Sequence, residues 1–119
     1  MTKEFRDMKG VIAIATTPFN NENLIDFESV DRLSNYYIES KVSGVTILGV
    51  MGEAHKLNIE EQKSLIKRYV NNLINSVPVI VGVSNAGLDN LELLSKFSMD
   101  SGASGVMVSG NNGLKNDDQ

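Results

Sequence analysis

Apolar residues along the chain fall into two alternating patterns. Four short runs are nearly continuous in Val, Ile, Leu, Met and Ala: GVIAIATT (10–17), GVTILG (44–49), PVIVGVS (78–84) and GVMVSG (105–110). Unbroken runs of this length predict strands buried on both faces. Between them lie three segments whose apolar residues recur at helical spacing. The first starts at Asp26, a good capping residue, and sets Phe27, Val30, Leu33 and Tyr37 on one stripe. The second opens on Asn58 with Glu61 three residues on, a capping-box pattern, and carries Leu65, Ile66, Tyr69, Val70, Leu73 and Ile74. Pro78 lacks an amide hydrogen, so it ends that helix and starts the next strand. In the third, Asp89 and Glu92 stand in the same capping relation, Leu91, Leu94 and Phe97 form the stripe, and Gly102 suits the C-terminal cap.

The order β-α-β-α-β-α-β calls for a parallel sheet with right-handed crossovers. Residues 39–52 (ESKVSGVTILGVMG) match residues 100–113 (DSGASGVMVSGNNG) at Ser, Ser, Gly, Val, Gly and Gly with a constant offset of 61. That offset spans two βα units, as a repeating βα architecture requires. The candidates are an open doubly wound sheet and part of a closed eight-fold barrel. A nucleotide-binding sheet needs a glycine-rich turn after its first strand, and TTPFNNENLID (16–26) contains no glycine.

Composition narrows the function. The net charge is −4, with acids and bases interspersed and no basic cluster to track a phosphate backbone, which argues against nucleic acid. No apolar run approaches the roughly 20 residues that span a bilayer. MTKEFRDMKG (1–10) lacks the apolar core of a signal peptide, so the expected location is cytoplasmic, with no membrane partner. Without cysteine, and with His55 as the lone histidine, a metal site or a Ser/His triad has little to build on. NDDQ (116–119) reads as loop or cap material, and no metal or cofactor is expected.

Candidate chemistry gathers in LGVMGEAHKL (48–57), where the second strand ends. Parallel sheets collect their sites at carboxyl ends. Gly49 and Gly52 allow a sharp turn, so the backbone amides of Val50 and Met51 can hold a carboxylate while their side chains shape the pocket. The bland alternative is a plain strand-to-helix turn. Glu53 reads as a buried hydrogen-bonding post or as a solvated loop acid. His55 reads as a surface or helix-edge residue sooner than a catalytic base, and Met51, Met99 and Met107 as core fillers.

IAIATTPFN (12–20), GVTILGVMGEAHKLNIEEQ (44–62), PVIVGV (78–83) and GASGVMVSGNNGLKNDDQ (102–119) together resemble the dihydrodipicolinate synthase / N-acetylneuraminate lyase family. The similarity runs in order from about residue 10 to the last residue. Its most specific elements are Thr17-Pro18 after the first strand and Gly49 to Glu53 after the second. The resemblance implies a (β/α)8 TIM barrel that binds pyruvate or a related 2-oxo acid. In it a lysine on the sixth strand forms a Schiff base and a tyrosine on the fifth relays protons. It assigns substrate binding to Thr17, Gly49, Val50, Met51, Gly52 and Glu53, and implies a homo-oligomer.

Three departures from the family pattern stand out. Val50 and Met51 occupy positions that are often Thr or Ser, so no hydroxyl is present to donate or relay a proton. SGNNG (109–113) stands where many members carry Pro and Tyr, and that tyrosine would fall near Asn111 or Asn112. Both argue against the synthase itself. The sequence also stops at Gln119, under half of the about 250 residues of a barrel. None of Lys41, Lys56, Lys63, Lys67, Lys96 or Lys115 sits in a strand at the catalytic place. Residues 1–119 therefore read as one partial TIM-barrel domain, the first four strands and three helices of a 2-oxo-acid lyase or aldolase, with no catalytic residue of its own. The alternative is an inactive half-barrel that binds a small carboxylate or pairs with a second copy through its open sheet edges.

Overall fold

The computed structural model describes residues 9–85 and 87–109. Helix α1 (Phe27–Glu39) starts where the Asp26 carboxylate accepts the Ser29 amide. Helix α2 (Ile59–Leu73) starts on the full reciprocal box, in which Asn58 accepts the Glu61 amide and the Glu61 carboxylate accepts the Asn58 amide. Helix α3 (Leu88–Ser101) departs from expectation: its cap is Gly87 in extended conformation, with no side-chain bond. Asp89 lies inside the first turn, where its charge still favours the positive end of the helix. Gly102 closes α3 in the left-handed region, φ 110°.

The strands are β1 (Ile12–Ile14), β2 (Gly44–Ile47), β3 (Val79–Gly82) and β4 (Gly105–Met107), all parallel, in the spatial order β1-β2-β3-β4. Each is shorter than its apolar run. Strand β2 stops because Leu48 turns into the left-handed region, φ 56°. Gly110, the last residue of the fourth run, lies outside the described residues.

Alternation along the strands separates two faces. Ala15, Val45, Ile47, Val79, Val81 and Val83 pack with Val30, Leu65, Ile66, Tyr69, Val70, Leu73 and Leu94 from the helices into one core. Burial on both faces holds for β2 and β3, whose residues are buried throughout. It fails for the edge strands. Ile12, Ile14 and Met107 are 42%, 56% and 48% exposed on the face turned away from the helices. An edge strand has a neighbour on one side only, so its residues keep contact with water.

Outside the core, α1 and α2 are joined by a polar staple. Arg68 grips Asp31 with two hydrogen bonds of 2.7 Å, and the Asn72 amide adds a third at 2.8 Å. The Arg68 bonds, then that from Asn72, draw the Asp31 carboxyl down from 3.8 to about 2. Its folded value lies below the unfolded one, so this stabilisation is complete above the unfolded pKa and fades as pH falls through about 2. Asp31→Asn should cost at most about 1 kcal/mol at pH 7, because the pair is exposed. In urea titrations, that difference from the native chain should vanish near pH 2; a difference that persists there would show that the ion pair is not its source.

Candidate functional site

The site begins with two main chains in close contact. After Leu48 turns, its carbonyl lies against Gly82 of β3. A Cβ at position 82 would collide with the Leu48 oxygen, sit 2.9 Å from the Leu48 carbonyl carbon and 3.3 Å from the Gly49 nitrogen. Gly52 is confined likewise, since a Cβ there would lie 3.1 Å from the Leu48 nitrogen and 3.3 Å from the Ala15 oxygen. Gly49 is not confined: its Cβ would meet only an Ile14 methyl at 4.0 Å. The sharp turn that the sequence suggests for the glycines is made instead by two left-handed non-glycine residues, Leu48 and Glu53, both at φ 56°. Such a backbone costs about 1–3 kcal/mol per residue, so the surroundings must hold it.

They do so through side chains outside the loop. The buried Thr17 hydroxyl donates to the Gly52 carbonyl at 2.6 Å. The buried Tyr69 hydroxyl donates to the Thr16 carbonyl at 2.8 Å. Burial, and then the neighbouring Tyr37, push the Tyr69 pKa above its ordinary value, so it stays a neutral donor. Within the loop, the Gly52 amide donates to the Gly49 carbonyl (3.1 Å) and the Glu53 amide to the Val50 carbonyl (3.0 Å). A 3-10 turn, Ala54–Lys56, follows, and the Gln62 amide reaches back to the carbonyls of Leu57 (3.0 Å) and Ala54 (3.4 Å). Glu53 is half-buried and accepts from Lys56 Nζ at 2.7 Å.

This bonding leaves the amides of Val50 and Met51 without a protein acceptor among the described residues. Beside Val50, over the carboxyl ends of β2, β3 and β4, lies a cavity of about 580 Å³, a size suited to a small organic ligand. Gly49, Val50, His55, Ser84, Asn85 and Ser109 are among its lining residues. The Ser109 amide and hydroxyl bond to the Ser84 hydroxyl at 2.8 and 3.0 Å, tying the ends of β3 and β4 together. A second hollow of about 380 Å³, lined by Lys41, Ser43 and Pro78 among others, opens at the amino ends of β2 and β3, away from the usual place of sites in parallel sheets.

Of the residues singled out from sequence, Gly49 and Val50 line the cavity. Thr17 and Gly52 form the tie beneath it, Glu53 pairs with Lys56, and Met51 is 61% exposed outside the lining. Met51, Met99 and Met107 do not fill the core: all three are exposed, on the loop, on the wet side of α3 and on the edge strand. His55 is exposed on the 3-10 turn and lines the cavity. Ser84, Asn85 and Ser109 were missed, though the rule that pointed to residue 50 applies equally to the end of the third strand. Asn111, Asn112, Lys115 and NDDQ (116–119) lie outside the described residues. Among the described residues, no group of three His, Asp or Glu side chains could hold a metal, and no helix is long and apolar enough to cross a membrane.

Comparison with known proteins places this geometry. The model of the dihydrodipicolinate synthetase family matches residues 7–110. The 4-hydroxy-tetrahydrodipicolinate synthase of Thermotoga petrophila is 35% identical over 100 residues, 84% of this chain and 34% of the relative. That of Methanocaldococcus jannaschii is 35% identical over 99 residues, 83% and 34% of the two chains. The chain thus spans about a third of the length of these curated relatives. The crystal structure of dihydrodipicolinate synthase from Rhodopseudomonas palustris superposes with a TM-score of 0.91 at 40% identity, covering 99% of this chain and 39% of that one. Escherichia coli YagE, solved in complex with pyruvate, superposes at 0.84 with 26% identity, over 89% and 36%. The four strands and three helices are the N-terminal part of a (β/α)8 TIM barrel.

The contacts around the turn set a ranking for substitutions. Gly82→Ala should destabilise by about 3 kcal/mol, because the Leu48–Gly49 backbone leaves no room for a methyl. Thr17→Val should cost about 1–3 kcal/mol by leaving the Gly52 carbonyl buried without a donor. Gly49→Ala should fall within about 0.5 kcal/mol of the native chain. Denaturant melts of the three variants test the ranking; equal losses at 49 and 82 would mean that β2 does not cross Gly82 as described.

Proposed function

The chain belongs to the dihydrodipicolinate synthetase family, and on that premise we propose that it supplies the carboxylate-binding loop of a lyase or aldolase acting on pyruvate or a related 2-oxo acid. The amides of Val50, which lines the cavity, and of its neighbour Met51, both without a protein acceptor among the described residues, carry this reading. Amides held at a rigid turn favour an anion, since each gains a charge-assisted bond without reorganising. The pyruvate bound by Escherichia coli YagE supports it. The carbon chemistry follows from an imine: a lysine amine adds to the keto carbon, water leaves, and the protonated imine accepts the electron pair of the carbon–carbon bond being broken. Among the described residues no lysine lines the cavity, and in this reading the imine-forming lysine belongs to a part of the barrel that follows these strands. Val50 and Met51 offer no hydroxyl for proton relay, which favours a lyase or aldolase other than the synthase. In this reading residues 1–119 are one partial-barrel domain of a cytoplasmic homo-oligomer.

Titrating pyruvate into the ¹⁵N-labelled chain should move the amide resonances of Val50 and Met51 together. Silence at both overturns the reading. Borohydride reduction of the same mixture should leave the mass of the chain unchanged; an adduct would mean that one of its own lysines reaches the keto carbon.

A second reading rests on a different observation. Val11 (69%), Ile12 and Ile14 (42% and 56%) beside one sheet edge, and Met107 and Val108 (48% and 49%) beside the other, are exposed. An isolated half-barrel could cover them by pairing β4 of one copy with β1 of the next. Sedimentation should then report a dimer for the 119-residue chain and a monomer for Ile14→Lys. A native chain that is monomeric and folded at micromolar concentration excludes this pairing.

A further inference from the structure

We propose that Tyr69, a core residue of α2, is a positioning residue for the carboxylate site: its hydroxyl fixes the exit of β1, and that exit fixes the amides of Val50 and Met51. The proposal deepens the carboxylate-binding reading above and rests on it.

Tyr69 is buried within the core that α2 shares with the sheet. Packing there calls for an aromatic ring, which phenylalanine would supply equally well. The hydroxyl does something more specific. It donates to the Thr16 carbonyl at 2.8 Å, across 53 positions of chain. Burial, and then the neighbouring Tyr37, hold its pKa above the ordinary tyrosine value, so the donor keeps its proton. The other hydrogen-bonding side chains of α2 that reach beyond the helix act elsewhere among the described residues: Gln62 on Ala54 and Leu57, Arg68 and Asn72 on α1.

Thr16 stands between the two residues of the β1 exit that meet Gly52. On one side, the Ala15 oxygen lies 3.3 Å from where a Gly52 Cβ would be. On the other, the Thr17 hydroxyl donates to the Gly52 carbonyl at 2.6 Å. Gly52 closes the crest, because its amide donates to the Gly49 carbonyl and the next amide, from Glu53, donates to the Val50 carbonyl. Val50 and Met51 lie inside that closure. A path of direct contacts thus runs from the Tyr69 hydroxyl through Thr16, Thr17 and Gly52 to two main-chain donors. Hydrogen bonds weaken steeply with misalignment, so a small turn of these amides costs anion affinity while the fold survives.

Tyr69→Phe removes the donor and keeps the ring. Asn72→Ala is the comparison: it loosens the same helix from α1 without touching β1. Pyruvate affinity is read from the ¹⁵N-labelled amides of Val50 and Met51, and stability from urea titration of each variant. Tyr69→Phe should displace both amide resonances in the free chain and weaken pyruvate about fivefold to tenfold. Asn72→Ala should leave resonances and affinity at native values, whatever it loses in urea. Thr17→Val should reproduce the Tyr69→Phe signature, and Thr17→Ser, which keeps a hydroxyl, should restore native affinity. The double variant Tyr69→Phe/Thr17→Val should bind pyruvate no more weakly than the worse single variant, because both interrupt one path. Native affinity in folded Tyr69→Phe overturns the proposal and leaves the carboxylate-binding reading standing. Equal losses in Tyr69→Phe and Asn72→Ala overturn it too, since affinity then follows stability alone. Fully additive losses in the double variant exclude the path through Thr17. If pyruvate moves neither amide in the native chain, both readings fall together.

Discussion

Everything at the carboxyl end of the sheet depends on the crossing of Leu48 over Gly82. Two backbones lie within van der Waals contact there, and any side chain at position 82 would drive them apart. The crossing lets β2 end at Ile47 and turns the chain outward over β3. That exit path brings the 49–53 loop and the 3-10 turn over the ends of the neighbouring strands and creates the cavity between them. With β3 pushed away, the turn would lose its support and the left-handed geometry at Leu48 and Glu53 would relax.

A division of labour follows. The residues that hold the loop lie outside it, on the first strand's exit (Thr16, Thr17) and on α2 (Gln62, Tyr69), and three of the ties end on main-chain carbonyls of the loop region or of Thr16. The main-chain donors at its crest, Val50 and Met51, find no acceptor among the described residues. Helix α2 thereby both buries the core-facing side of the sheet and orients the wall of the site. The outer staple of Asp31, Arg68 and Asn72 ties α1 to α2, but it is exposed and its weight is small beside the core.

Much of this framework could be read directly in the residues. Asp26, Asn58 with Glu61, Pro78 and Gly102 each act locally, through a cap, a missing amide hydrogen or a left-handed closure, and local physics needs no tertiary context. The start of α3 misled because Asp89 and Glu92 have the spacing of a capping box while the chain enters the helix two residues earlier, at Gly87. The site was half visible. Gly49 and Val50 follow from the strand-end rule, but the left-handed Leu48 and Glu53 carry no compositional mark, because a positive φ at a non-glycine residue is enforced by neighbours distant in sequence. The role of Gly82 depends on a contact across 34 positions of chain, from 48 to 82, that no local pattern encodes. Exposure of the edge strands was equally hidden, since an apolar run looks the same whether or not a neighbour pairs with it.

The way the crest is supported bears on how such a protein can change. Side chains at 50 and 51 take no part in any tie that shapes the loop: one is 86% and the other 61% exposed, and their neighbours are fastened by Thr17, Gln62 and the backbone. Mutations at these two positions should therefore reshape the surface of the crest without first passing through an unfolded intermediate. The residues that hold the loop and those that form its crest are different, so drift in one leaves the other intact, and the surface of the crest can change while the scaffold beneath it stays the same.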